Sequence, residues 1–116
     1  MSQFTSSAVG SSRWVQKRRV VPASSSLVID TRPLSSYLGQ SYYLNIYNSD
    51  EGVFKTLHVV TSRSGSNICY TVYSKLGDLI DFTHSVSVSG SDVVVTVQNN
   101  ETFDLNVVIN KLDFLS

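Results

Sequence analysis

The stretch Ser91–Gln98, which reads SDVVVTVQ, decides the fold class of this chain. Side chains alternate between the two faces of a β-strand, so three of its valines share one face: Val93, Val95 and Val97. Branched side chains of this kind suit a pleated, half-buried surface. The stretch therefore predicts a β-strand.

A second alternating stretch follows after the short polar segment Asn99–Glu101. Apolar and polar residues alternate from Phe103 to Ile109, which is the pattern of a half-buried strand. Because the segment between the two strands is short and turn-like, we expect them to form an antiparallel hairpin. Beyond Ile109 the apolar positions change parity, which predicts a β-bulge near Val108–Asn110.

The same kind of pattern continues upstream, which brings the number of candidate strands to about eight, at short and regular spacing. The further candidates are Leu27–Ile29, Tyr42–Tyr47, Phe54–Thr61, Ile68–Tyr73, Gly77–Phe82 and Val86–Val88. Arg32–Tyr37 is predicted as a loop or one helical turn, and no stretch has the period of an amphipathic helix. The sequence therefore predicts an all-β domain, an antiparallel β-sandwich of jelly-roll-like type.

Composition excludes several classes of protein. The chain has 116 residues, of which 41% are hydrophobic, so it is too apolar to be disordered throughout. A single cysteine excludes an intrachain disulfide framework and a multi-cysteine metal site. No apolar run approaches the roughly 20 residues of a transmembrane helix, so we expect no membrane partner.

The formal net charge of zero conceals an uneven distribution. Residues 1–26 carry four cations and no acid, whereas residues 27–116 carry five cations and nine acids, a net charge of −4. The first segment is also rich in serine and has little apolar area to bury. We therefore predict an extended, basic N-terminal arm over residues 1–26 and a β-sandwich domain over residues 27–116 that folds without it.

The arm contains the most specific local signal in the chain, RWVQKRRVVP at residues 13–22. Its candidate interaction residues are Arg13, Trp14, Val15, Lys17, Arg18 and Arg19. Tryptophan and arginine are favoured anchors of protein interfaces, so docking on an acidic protein neighbour is the preferred interpretation. A solvated basic tail and nucleic-acid binding stay open as alternatives, and nucleic acid is the least favoured partner.

Six tyrosines form the other candidate for binding. Tyr43 and Tyr47 lie on the strand face opposite Leu44 and Ile46, so these two are the better interface candidates, for a glycan or a protein. The alternative is that the tyrosines fill and fringe the core of the sandwich.

Catalytic chemistry has little support in the sequence. His58 and His84 are the only histidines, and no phosphate-binding loop, nucleophile elbow or zinc-protease motif is present. His58 is predicted to be a half-exposed strand residue, and Cys69 a small, partly buried and inert thiol. We therefore expect no catalytic residue, no metal and no cofactor, and predict that the chain is not an enzyme.

Several segments together resemble the small β-sandwich of structural proteins in tailed bacteriophages. The segments are Leu27–Asp30, Ser41–Tyr47, Thr56–Val60 and Ile68–Tyr73, and Val72–Leu76 is similar to the family's strand end before a turn. The resemblance covers most of residues 27–116, leaves the basic arm unexplained and assigns no binding residue.

The resemblance implies a non-enzymatic virion component, namely a head decoration protein or a part of the tail, neck, baseplate or fibres. Its partners would be other virion proteins, with self-association into a homo-oligomer, and it would be assembled into the virion in the host cytoplasm. The alternative is a carbohydrate- or protein-binding β-sandwich module that uses the tyrosine-rich face.

Overall fold

Eight strands in two antiparallel sheets make up the chain in the computed structural model, which describes residues 14–115. The strands are β1 (Trp14–Val21), β2 (Ser26–Pro33), β3 (Tyr37–Asn48), β4 (Val53–Ser64), β5 (Asn67–Gly77), β6 (Phe82–Ser89), β7 (Asp92–Asn99) and β8 (Leu105–Leu115). One sheet has the order β1-β8-β3-β4-β5 and the other has the order β2-β7-β6. The all-β sandwich predicted from the alternation is confirmed.

The one described helical element is a single 3-10 turn at Leu34–Ser36, within the segment predicted as a loop or a helical turn. Among residues 14–115, no helix has the length and apolarity needed to cross a bilayer.

The hydrophobic core lies between the two sheets. Val93, Val95 and Val97 of β7 are almost fully buried and face Leu44 and Ile46 of β3 in one cluster. Burying a side chain of this size contributes about 1.5–3 kcal/mol, so the alternating valines stabilise the sandwich and orient β7.

The first strand lies inside the range predicted to be an arm. β1 pairs with β8 from Trp14, opposite Leu112, to Val21, opposite Leu105, and Val21 is fully buried. The boundary between an arm over residues 1–26 and a domain over residues 27–116 stays a prediction. Residues 1–13, including Arg13, lie outside the described residues.

The predicted hairpin between β7 and β8 is wrong. β7 pairs with β2 and β6 in the smaller sheet, whereas β8 pairs with β1 and β3 in the larger one. The buried amide of Asn99 holds the crossing between the sheets, since its Nδ2 donates to the carbonyl oxygens of Val21 at 3.1 Å and Phe103 at 2.8 Å. Alternation is equally strong in strands of different sheets, so it could not reveal the crossing.

The predicted bulge near Val108–Asn110 is also wrong. β8 pairs with β1 from Leu105 to Leu112 without a register shift, and its inward face continues from Ile109 to Lys111 and Asp113. The inward-facing positions of β8 therefore keep the same parity to the end of the strand. Beyond Ile109 these positions are occupied by charged residues, Lys111 and Asp113.

Candidate binding face

The outer face of the larger sheet, which is the side turned away from the smaller sheet, collects most of the predicted interaction residues. Inward positions of β3 such as Leu44 and Ile46 are fully buried, so Tyr43 and Tyr47 point the other way. Trp14 of β1 lies opposite Leu112 of β8. The strand on the other side of β8 is β3, which carries Tyr43. The register of the strands thus brings Trp14 and Tyr43 to the same face.

Four rings from four strands form a row across this face, which we call the aromatic row: Trp14, Tyr43, His58 and Tyr73. Trp14 reaches over β8 to stack on Tyr43, with 6.3 Å between ring centroids. Tyr43 stacks on His58 at 4.5 Å, and His58 meets Tyr73 at 5.7 Å. Trp14 is 57% exposed, Tyr43 42% and Tyr73 66%, so the row offers apolar ring surface to solvent.

A shallow hollow of about 490 Å³ lies between Trp14 and Tyr43. It is lined by Trp14, Val15, Gln16, Tyr43, Asn45, Thr56 and Asn110. A second hollow of about 280 Å³ shares Asn45 and Thr56 with the first and extends to the stacked pair Tyr47 and Phe54. The two together form an elongated groove along the outer face.

Amide and hydroxyl side chains give this groove its polar groups. Gln16 Nε2 donates to Asn110 Oδ1 at 2.9 Å, and Thr56 Oγ1 donates to Asn45 Oδ1 at 2.7 Å. These two hydrogen bonds occupy the side-chain oxygens of Asn110 and Asn45. The Nδ2 groups of the same two residues have no acceptor among the described residues. The groove can therefore donate hydrogen bonds to a ligand beside the rings.

Charge is almost absent from the outer face. The alternation and register of β1, β8, β3, β4 and β5 leave Arg18 as the single lysine, arginine or acid among its described residues. Interface cores are typically depleted in charge and enriched in aromatic residues. This composition makes the outer face a candidate for binding a largely uncharged surface or polymer.

The structure separates the other predicted interaction residues. Lys17 points inward and its Nζ lies 2.6 Å from Asp30 Oδ1, so this cation is used within the chain. Arg18 lies on the outer face, Arg19 is exposed at the β1 edge, and Val15 is half-buried at the rim of the first hollow. Whether these residues, together with Trp14, Tyr43 and Tyr47, contact a partner stays a prediction.

Sequence reasoning did not identify His58, Asn45 and Asn110 as parts of this surface. His58 is half-buried in β4, as predicted, but its neighbours Tyr43 and Tyr73 come from two other strands. Alternation assigns each residue to a face of its own strand, whereas the register between strands decides which residues meet.

A buried ion cluster lies between the sheets, at the side formed by β1 and β2. Lys111 Nζ is 2.7 Å from Asp30 Oδ2 and 3.2 Å from Asp113 Oδ2, and Gln40 Nε2 donates to Asp113 Oδ1 at 2.7 Å. Burial on its own raises the pKa of Asp30, but hydrogen bonds from Lys111 and Lys17 and their charges together hold that pKa below its ordinary value. Arg32 Nε also lies 3.3 Å from Asp113 Oδ2, so three cations pair with two carboxylates within the chain, and the cluster is a structural feature.

The residues considered for catalysis are not arranged as a nucleophile and a base. The Tyr42 hydroxyl is hydrogen-bonded to His84 Nε2, and burial, with a smaller effect from Lys75, lowers the pKa of His84 to about 4. Cys69 is exposed on β5, which corrects the expectation of a partly buried thiol. Among the described residues, no hydrogen bond joins Cys69 to His58 or His84, although such a contact activates catalytic cysteines.

Comparison with known proteins supports the fold. Neither a known protein family nor a curated protein matches the sequence. Among solved structures, the tailspike protein of Acinetobacter baumannii phage AM24 is similar, with a TM-score of 0.53 and 7% identity over 90% of this chain and 27% of that one. The tailspike protein of Acinetobacter phage vB_ApiP_P1 is similar with a TM-score of 0.53 and 14% identity, over 100% of this chain and 24% of that one.

The chain thus spans about a quarter of the length of each tailspike protein. At these identities the comparison shows a shared fold. The all-β fold that the sequence resemblance implied is therefore shared with segments of these two tailspike proteins.

Proposed function

We propose that this chain is a non-enzymatic structural component of a phage tail and that its outer face binds carbohydrate. The aromatic row carries this proposal, because Trp14, Tyr43, His58 and Tyr73 present ring surface beside unpaired amide donors. Binding to a glycan was the alternative function that the tyrosine-rich sequence allowed, and the placement of Trp14 beside Tyr43 favours it.

The chemistry of sugars matches the composition of this groove. A pyranose ring has an apolar face of C–H groups and a rim of hydroxyls, so it needs both flat apolar surface and hydrogen-bonding groups. Trp14 and Tyr43 supply the flat apolar surface, and the Nδ2 groups of Asn45 and Asn110 supply hydrogen-bond donors. The open, elongated form of the two hollows suits several units of a polymer better than one small molecule.

The fold shared with segments of two phage tailspike proteins supports the placement in a phage tail. The strand and turn pattern of the sequence points in the same direction. This chain would be one domain-sized part of such an assembly, with other virion proteins as its partners and the virion as its location.

Tryptophan fluorescence provides a direct test, because Trp14 is the only tryptophan in the chain. A glycan array of neutral and acidic oligosaccharides would identify a bound sugar, and titration with that sugar should change the emission of Trp14. Tyr43→Ala should weaken binding about fivefold or more, corresponding to the loss of about 1 kcal/mol at an interface anchor.

The matched control is Tyr70→Ala, since Tyr70 and Tyr43 are equally exposed at 42% and Tyr70 lies away from the groove. It should bind the sugar as the unmodified chain does. Absence of any bound glycan on the array, or a Tyr43→Ala variant that binds normally, would contradict the proposed carbohydrate site.

Assembly through the β1 edge is a second candidate function, favoured by the two arginines there. Arg18 and Arg19 are exposed and form no salt bridge among the described residues, whereas Lys17 is paired with Asp30. An acidic surface of another virion protein fits such an edge, although exposed ion pairs contribute only about 0–1 kcal/mol each.

Incorporation into particles separates the two functions. Arg18→Ala/Arg19→Ala should reduce incorporation and leave sugar titration unchanged if the edge serves assembly, whereas Tyr43→Ala should weaken sugar binding and leave incorporation unchanged. Incorporation that is unaffected by the arginine substitutions would remove this candidate. Binding of DNA that falls steeply with salt, with unchanged incorporation, would point to nucleic acid instead.

A further inference from the structure

The two sides of the sandwich differ in how their sheet edges are protected. On one side, the β1 edge carries Lys17, Arg18 and Arg19, and the β2 edge has a bulge at Val28–Asp30 and ends at Pro33. Cations, bulges and proline are devices that prevent an edge strand from pairing with another chain. The cations, the bulge and the proline therefore disfavour pairing of these two edges with a strand of another chain.

The other side is less protected: β5 has a bulge at Tyr73, where its register against β4 shifts, but it contains no proline. β5, the outermost strand of the larger sheet, has 11 residues and a single charge, Lys75. Tyr73 and Leu76 are 66% and 70% exposed, and Leu79, just beyond the strand, is 93% exposed. Along its outer edge, the backbone of β5 pairs with no other described strand. A long edge with one cation and exposed apolar side chains is a template for an added strand.

We propose that β5 is a self-association surface, on which a second copy of this chain pairs antiparallel along its own β5. In such a two-fold dimer, residues at equal distances from the middle of the strand face each other. The middle of Asn67–Gly77 is Val72, so the two copies of Lys75 would lie about 20 Å apart along the strands. That separation exceeds the Debye length of about 8–10 Å, so the one cation of β5 does not oppose the pairing.

The distribution of charge argues against the other edge pairings. By the same rule, self-pairing of β1 would place Lys17 opposite Arg18 of a second copy, with Arg19 next to them. Pairing of β1 with β5 would leave a free edge at each end and produce an open filament instead of a closed dimer. The β6 edge is uncharged, but it is shorter, and its exposed large apolar residue is Val88, at only 36%.

The dimer would join the two candidate binding faces. The axis of an antiparallel pairing is perpendicular to the sheet, so both outer faces would lie on one side of a continuous ten-stranded sheet. Tyr73 is next to the middle of β5, so the two aromatic rows would meet at the axis. The pairing itself does not depend on carbohydrate binding.

The test compares two lysine substitutions at exposed edge positions, Thr71→Lys on β5 and Ser87→Lys on β6. Sedimentation and native mass measurements should find the unmodified full chain as a dimer. Thr71→Lys would place two lysines diagonally across the axis, with their Cα atoms roughly 7–8 Å apart, and should weaken dimerisation about tenfold or more. Ser87→Lys is the matched control and should dimerise as the unmodified chain does.

Far-UV circular dichroism and thermal melting establish that each variant is folded, and both substituted residues are exposed in the chain. A monomeric or trimeric unmodified chain would overturn the proposal, since pairing of one edge with itself stops at two copies. A Thr71→Lys variant that dimerises normally, or a Ser87→Lys variant that dissociates equally, would overturn it as well.

Discussion

Lys111 shows how a single residue can reverse an interpretation of the sequence. It occupies a core position of β8, 1% exposed, and is held there by Asp30 and Asp113. A lysine is almost never fully buried unless it is paired, so the sequence pattern by itself favours a change of parity. The residues that pair with it come from β2 and from the same strand, and the contact across the sheets is not visible in a local pattern.

We predict that Asp30→Asn strongly destabilises the chain. The substitution keeps the shape of the side chain but leaves Lys111 buried without one of its two carboxylates, and removal of one partner of a buried pair costs about 3–5 kcal/mol. Urea unfolding measures the change in the free energy of unfolding. Asp50→Asn, in the exposed turn after β3, is the matched control and should stay within about 0.5 kcal/mol; equal stability of the two variants would contradict a structural role for the cluster.

His84 should make the stability of the chain depend on pH. Its pKa is lowered from 6.5 to about 4 by burial, so the unfolded chain takes up a proton at a higher pH than the folded chain. The free energy of unfolding should therefore be fully retained above pH 6.5 and decrease as the pH falls from 6.5 towards 4. Asp30 adds a further loss at still lower pH, as its lowered pKa is passed.

Urea unfolding at a series of pH values tests the contribution of His84. His84→Gln should flatten the decrease between pH 6.5 and 4, whereas His58→Gln, on the outer face, leaves His84 in place and should retain it. If the free energy of unfolding of His84→Gln decreases as much as that of the unmodified chain, groups other than His84 cause the decrease.

At the scale of the strand, β1 is the element on which both the fold and the candidate site depend. It supplies Trp14 to the aromatic row and Val21 to the core, and it covers the edge of β8 along eight paired positions. The segment around it, residues 13–22, has four cations in ten residues and follows a serine-rich stretch, a composition that favours an arm over a strand. The strand exists because every second residue can face inward: Lys17 does so by pairing with Asp30, while Arg18 takes the outer face and Arg19 the edge.

Adjacent valines in β1 test its packing. Val21 is fully buried and Val20 is 52% exposed, so the same substitution probes the two faces of one strand. Val21→Ala should lower the free energy of unfolding by about 2 kcal/mol, for two lost methyl groups and the cavity they leave, and Val20→Ala by less than about 0.5 kcal/mol.

Deletion of residues 1–21 extends this test to the whole strand. We expect it to lower the melting temperature and to weaken cooperativity, because it exposes the edge of β8 and leaves Asp30 without Lys17. Melting that is as cooperative as in the full chain would support the predicted boundary at residue 26 and show that β1 is dispensable.

At the scale of the whole molecule, the sequence predicts the class of fold better than its connections. Alternation is a property of each strand, so Ser91–Gln98 and the other stretches identify an all-β sandwich directly. The order of the sheets depends on pairings between distant segments, such as Tyr43 with Asn110, that leave no local trace. For the same reason, tyrosines and the tryptophan could be identified as binding candidates separately, but not as neighbours in one row.

The pairing of β1 with β8 also has a consequence for biosynthesis. β1 leaves the ribosome before the other described strands, yet its partner β8 is the last of them to be translated, with Trp14 opposite Leu112. Chains dominated by such distant pairings fold slowly, typically in milliseconds to seconds, and the loop between these strands can close only after β8 has been translated. The nascent polypeptide therefore carries β1 without its partner until β8 has been synthesised, and the groove beside Trp14 is completed only then.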